Sequence, residues 1–493
     1  MFNLVDNSEG VYVACCAIGI YLVFSLLKSF FLRRRLPYPP GPPEKSWLSG
    51  NLSDIPTDKP WVTYTNWKDT YGDIIHLRVY GQHTIILNSL DVAKELMEQR
   101  PKIYSDRPHF TMVDLMEWSF NVGLMPYGDL WRSHRRIFQQ SFRKQASRGY
   151  EQIQTQKVVE MLRNLLETPD DFREHYKTVA SASIVSAVYG FDLQAKGDPF
   201  VALSEAAVEK LSNSLFPGSK AVNALPVLRH LPEWFPGAGF QRYARDARIA
   251  TRRMRDAPFE LTKKAMSIGT VFPSIVENYL TGKHSYVDDQ MLKDVAATSY
   301  AAGSDTTASA LGTFFLAMAM FPDVQKKAQQ EIDALTEGNR LVTLDDRQSL
   351  LYTEAVFREI LRWRPVLPLS VAHCAYTDDV FKGYYIPKGE ALSRDPERYH
   401  DPEEFNPERY FDENGNLNDD EVSYAFGFGR RSMSFLWLSV AATLSFFDIA
   451  PKKDAADLNG AYTNGLISHP LPFELSITPR SMDARNFILN AGK

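Results

Sequence analysis

Asp305 and Thr306 stand side by side in the middle of an otherwise apolar stretch, residues 291–321, which reads as one long helix ending at Pro322. Their surroundings, Ala301-Ala302-Gly303-Ser304-Asp305-Thr306-Thr307, are unfavourable to a helix: glycine alone costs about 1 kcal/mol relative to alanine, and Asp and Thr add to it. An acid beside an alcohol can pass protons; the same residues can also only kink the helix, with threonine bonding back to the preceding turn. Trp131 and Arg135 are four apart, after Asp129 as N-cap, so an indole N–H and a guanidinium share a face with Phe138 and Phe142. Those donors suit a carboxylate; the other reading is a basic surface helix with a half-buried Trp. Glu359 and Arg362 lie on the stripe Leu351, Ala355, Glu359, Arg362 of a helix closed by Pro365. On an otherwise apolar stripe the pair is read as buried, and either charge alone there would be costly.

The elements that must hold these residues are mostly helical. After Asp91 the pattern is helical for most of the chain, whereas residues 74–79 and 84–87, separated by Gly81-Gln82, read as a hairpin. Residues 213–239, rich in Pro and Gly, are the least regular interior stretch. Composition is that of an ordinary globular protein, 44% hydrophobic and 23% charged, and a net charge of −5 argues against a nucleic-acid surface, since no strongly basic field covers the whole molecule. Residues 11–27 carry no charge, and an apolar run extends past Lys28 to Leu32; that length spans a bilayer once the Lys28 stem reaches the interface. Asp6 and Glu9 precede the run and Arg33-Arg34-Arg35 follow it, the reverse of a cleaved signal peptide. The positive-inside bias then places the N-terminus outside and the bulk of the chain in the cytosol. Residues 37–43, five of them proline, make a stiff spacer. Cys15 and Cys16 fall within the apolar run and only Cys374 beyond it, so no disulfide framework exists and a reducing compartment fits.

Phe426-Gly427-Phe428-Gly429-Arg430-Arg431 reads as a glycine-loosened loop entering an apolar helix, a turn of the kind that presents one ligand to a flat cofactor. With that loop included, the chain resembles the haem-thiolate monooxygenases, the cytochrome P-450 superfamily, over nearly its whole length. The family pattern at the loop is Phe-x-x-Gly-x-Arg-x-Cys-x-Gly. Phe426, Gly429 and Arg431 match its first half, while Met433 stands at the cysteine and Phe435 at the second glycine.

The resemblance implies a mainly α fold with a smaller β-rich part behind an N-terminal transmembrane helix. It assigns Trp131 and Arg135 to a haem propionate, with His373 a further propionate contact and Arg431 a cofactor-binding residue of the loop. On its own a lone histidine such as His373 is more often a satisfied polar residue. Asp305 and Thr306 would relay protons to iron-bound dioxygen, and the small residues around them would let oxygen and substrate approach. Glu359 and Arg362 would be joined by Arg409 from Phe405-Asn406-Pro407-Glu408-Arg409-Tyr410. The implied partners are haem, a small apolar substrate, an NADPH-dependent reductase and the endoplasmic reticulum membrane. The expected layout is a lumenal N-terminus (1–10), a transmembrane anchor (11–32), a basic and proline-rich hinge (33–45) and one catalytic domain (46–493).

Two departures interrupt the match. After Gly389 roughly eight or nine residues are missing, enough for one strand, and a similar number is missing after Arg431, the cysteine among them. A thiolate pushes electron density onto iron and favours O–O cleavage, whereas a thioether suits electron transfer. The reading is a monooxygenase lineage with impaired oxidation; the alternative is a silent membrane-anchored pseudoenzyme, or a splice or gene-model variant.

Overall fold

Asp289–Met320 is a rod of 32 residues buried along most of its length, about 48 Å long at 1.5 Å per residue. The Asp288 side chain caps its start, accepting from the Met291 N–H at 2.6 Å. Pro322 begins the next helix, Pro322–Thr336, at an angle of 105° to the rod. The structure is a computed structural model. It describes residues 36–491 except 144–147, 216–219, 283–286, 339, 388–389, 394–400, 402, 423–424, 426–433, 453–457 and 459. The expected anchor, residues 11–32, and the loop with Arg431 and Met433 lie outside the described residues. Among the described residues no single helix is long and apolar enough to cross a membrane.

Two apolar cores flank the rod. One joins Phe314 and Phe315 to Phe172, Trp363 and Trp437, from the helices Phe172–Tyr189, Leu351–Trp363 and Ser434–Phe446. The other joins Tyr300 to Trp118, Tyr189 and Met254, the last from the helix Gly239–Ser267. Removing aromatic surface of this size from water is the main favourable term that holds the rod.

The sheets are small. Strands β1 (Ile74–Val79) and β2 (Gln82–Leu87) form an antiparallel hairpin. Its two-residue turn is Tyr80-Gly81, at φ 47° and 82°, rather than Gly81-Gln82. In chain order β3 is His373–Cys374, and β4 (Asp379–Phe381) pairs with β5 (Tyr384–Ile386). Strand β6 (Glu390–Ser393) runs parallel to β2 and antiparallel to β3, in the order β1-β2-β6-β3. Glu390–Ser393 takes a strand position directly after the point where the family pattern is interrupted. Pairing uses backbone groups, and the edge of β2 would otherwise leave a row of them unpaired. Strands β7 (Phe447–Pro451) and β8 (Leu475–Pro479) form a separate antiparallel pair.

The described part of the proline-rich segment is packed against the first sheet. Tyr38 stacks on His76 and His83 at 4.6 and 5.0 Å, the His76 N–H donates to the Pro40 carbonyl, and the Tyr385 N–H donates to that of Pro37.

Candidate functional site

Trp131 and Arg135 sit on the helix Asp129–Phe142, whose N-cap is Gly128; Asp129 is the first helical residue and pairs with Arg132 instead of capping. The Arg135 guanidinium lies 6.0 Å from the Trp131 ring centre. Partial burial pushes its pKa down, and among the described residues no carboxylate is within ion-pair distance of it. His134 points the other way, 3.6 Å from Asp294 of the long helix. Burial opposes its charge, but Asp294 and the Leu130 carbonyl outweigh that and raise its pKa. With Ile137 packed on Val295 and Val122, the Trp131 helix is clamped to the first half of the rod.

His373 reaches the same neighbourhood through Asp106. The Asp106 carboxylate accepts from the Tyr127 N–H at 2.8 Å, and its carbonyl accepts from the Cys374 N–H at 2.7 Å. The Tyr127 ring lies 5.3 Å from that of Trp131. Arg107 donates to the carbonyls of Val371 and Ala372 at 2.8 and 2.7 Å, just before His373. Burial first, and then the Arg107 charge, push the His373 pKa down to about 3, so its imidazole is neutral at ordinary pH. Asp106 and Arg107 were not foreseen; the only signal was an Asp-Arg-Pro run outside any periodic stretch.

The rod's central residues divide their attention. The Thr306 hydroxyl donates to the Ala302 carbonyl of its own helix at 2.5 Å. Asp305 faces away, 3.3 Å from His469. The strap around His469 is tied to one stripe of the rod: Ser309 donates to the Ser468 carbonyl at 2.6 Å, and Tyr462 donates to Thr313 at 3.0 Å. Positions 305, 309 and 313 repeat at i, i+4, i+8, one helix face. A methyl group on Gly303 would stand 3.0 Å from Ile184, so this glycine lets the helix Phe172–Tyr189 approach closely. Ser304 and Ser204 present buried hydroxyls with no partner among the described residues, and line a small pocket with Lys177, Glu205 and Asp305.

Glu359, Arg362 and Arg409 are brought together. Glu359 is fully buried and accepts from Arg362 at 2.7 and 2.9 Å, from Arg409 at 3.1 Å and from the Tyr410 hydroxyl at 3.2 Å. The Asn406 N–H adds a fifth bond at 2.7 Å. Every lone pair of the carboxylate is engaged, the condition under which a buried ion pair is tolerated.

A half-buried guanidinium beside an indole donor suits a carboxylate, and the mainly helical architecture around it is the kind the following comparison identifies. The family model described as Cytochrome P450 matches residues 39–474, and the chain belongs to that family. It is 39% identical over 476 residues to Cytochrome P450 monooxygenase 208 of Postia placenta, covering 92% of each chain. It is 39% identical over 480 residues to Cytochrome P450 monooxygenase ple1 of Rhodocybe pseudopiperita, covering 91% of each. Tryptamine 4-monooxygenase of Psilocybe cyanescens is 36% identical over 479 residues, with 91% of this chain and 94% of that one covered.

The family's cofactor is haem, which asks two things of the chain. A cation for its propionates is present in Arg135, half-buried without a carboxylate partner among the described residues. A thiolate for its iron is not, because position 433 holds methionine. Cys374 does not replace it: this buried cysteine is held in β3, with its thiol directed at the Ala375 carbonyl. Among the described residues the fit is to the carboxylate end of the group; the loop with Met433 lies outside them.

Proposed function

We propose that this chain descends from monooxygenases that insert one atom of dioxygen into a small apolar substrate with electrons from an NADPH-dependent reductase, and that oxidation is impaired in the chain itself. Met433 is the observation that carries this reading, since a thioether does not supply the electron density that O–O cleavage draws on. The same observation favours the second reading, a catalytically silent membrane-anchored form or a splice or gene-model variant. Trp131, Arg135 and His373 are assigned to the cofactor's carboxylates, Arg431 to cofactor binding through its loop, and Asp305 and Thr306 to proton delivery. Glu359, Arg362 and Arg409 are assigned to holding the scaffold.

Residues 11–32 are proposed as a single-pass anchor in the endoplasmic reticulum membrane, with residues 1–10 lumenal. Residues 33–45 form the hinge, and residues 46–493 the cytosolic domain. The length of the uncharged run and the arginines after it support this orientation. The purified, reduced chain should give no carbon monoxide difference band of the thiolate-ligated type. A strong band of that type overturns the proposed impairment.

A further inference from the structure

We propose that His76 and His83 form a proton-operated latch: in the neutral form they hold residues 37–43 on the open edge of the first sheet, and a second proton on the pair releases that segment.

Strand β1 is an edge of its sheet, so alternate backbone groups face away from β2. The proline-rich segment and its continuation cover them. The Pro40 carbonyl accepts from the His76 N–H at 2.9 Å, and farther along the Asn51 N–H donates to the Arg78 carbonyl at 2.7 Å. A methyl group on Gly41 would collide with the His76 carbonyl, so the two backbones are in contact. Prolines offer acceptors only and cannot close such an edge as a paired strand does, so much of the hold falls to side chains. Tyr38 supplies it. Its ring lies over both imidazoles, tilted 11° from His76 and 14° from His83, and Tyr385 of β5 meets it edge-on at 5.5 Å.

The platform beneath Tyr38 holds together in one protonation range only. His76 Nε2 and His83 Nδ1 are 2.8 Å apart, with one N–H shared between them. A first added proton goes to an outer nitrogen and that bond survives; a second leaves an N–H on both inner nitrogens, two donors and two like charges in contact. The charged groups facing the pair among the described residues are Glu44 on the segment and Arg78 on β1. They are bound to each other, so their opposite effects on the pair largely cancel. Tyr38 and Tyr385 are the other titratable side chains against it. Burial first, then the His83 charge, push the His76 pKa down to about 4, against 6.5 once the segment leaves and water enters. The closed pKa lies below the open one, so the latch is at full strength above pH 6.5 and weakens as pH falls toward 4. Residues 37–43 join the preceding chain to the domain, and each residue released lengthens that tether by up to about 3.3 Å.

Hydrogen exchange of the full chain in detergent tests this, with each amide's protection taken relative to its unstructured rate at the same pH. The His76 and Tyr385 amides, bonded to the carbonyls of Pro40 and Pro37, report the segment; the Asn406 amide, bonded to Glu359, reports the rest of the scaffold. From pH 7 to pH 5 the first two should lose protection roughly twentyfold, the linkage of one histidine moving between 6.5 and about 4, while Asn406 keeps its own. In His76→Gln/His83→Gln the two amides should show no such loss. Constant protection at His76 and Tyr385 in the unaltered chain, an equal loss at Asn406, or the same loss in the double variant would each overturn the latch. The first two outcomes need no variant, so they decide even if the double variant fails to fold.

Discussion

Glu359 is the residue whose loss should be felt most. Its carboxylate is fully buried and holds two guanidiniums, Arg362 and Arg409, so Glu359→Ala removes the charge that both share and leaves them backbone carbonyls such as that of Glu404. The expected cost is about 3–5 kcal/mol in urea unfolding of the solubilised chain. The exposed pair Arg245–Glu233 supplies the contrast, and Glu233→Ala should cost under about 1 kcal/mol. A second expectation concerns acid. His373, lowered to about 3, and His76, lowered to about 4, both titrate below the 6.5 of an unfolded histidine. Below pH 6.5 the unfolded chain therefore takes up protons that the folded chain refuses. Stability is full above that value and falls progressively toward pH 4. Melting temperatures at pH 7 and pH 5 should show this drop, and His373→Gln should make it smaller.

At the scale of elements, the rod and the Glu359 helix were legible because a sustained apolar pattern bounded by proline is a local signal. The structure places them at Asp289–Met320 and Leu351–Trp363, close to the 291–321 and 351–364 read from the sequence. What sits against them was not legible. His469, the partner of Asp305, is 164 residues away in the chain, and nothing in periodicity announces such a pairing. The packing of Gly303 on Ile184 was not legible for the same reason, since Ile184 comes from another helix. The strand at Glu390–Ser393 was missed because an edge can be completed by backbone alone. Gly303→Val should destabilise the chain by about 1–3 kcal/mol through overpacking against Ile184. In a double-mutant cycle Ile184→Ala should recover part of that loss. Purely additive effects would place the glycine's role elsewhere.

For the whole molecule, the family assignment and the proposed impairment rest on different stretches of the chain. The family match runs from residue 39 to 474, and the buried triad, the two flanking cores and the Trp131 helix all stand without reference to position 433. Apolar burial and the Glu359 ion cluster lie outside the ligand loop, so under the proposed reading they hold the scaffold whatever residue stands at position 433. The proposed impairment rests on a loop pattern that is short and explicit, with Arg431 present and cysteine absent.

The most direct test compares the chain with a version carrying a Cys-x-Gly loop inserted between Arg431 and Ser432. Both are reduced and exposed to carbon monoxide. The thiolate-type difference band should arise in the restored chain and be absent from the unaltered one. The same band at comparable strength in the unaltered chain would contradict the account.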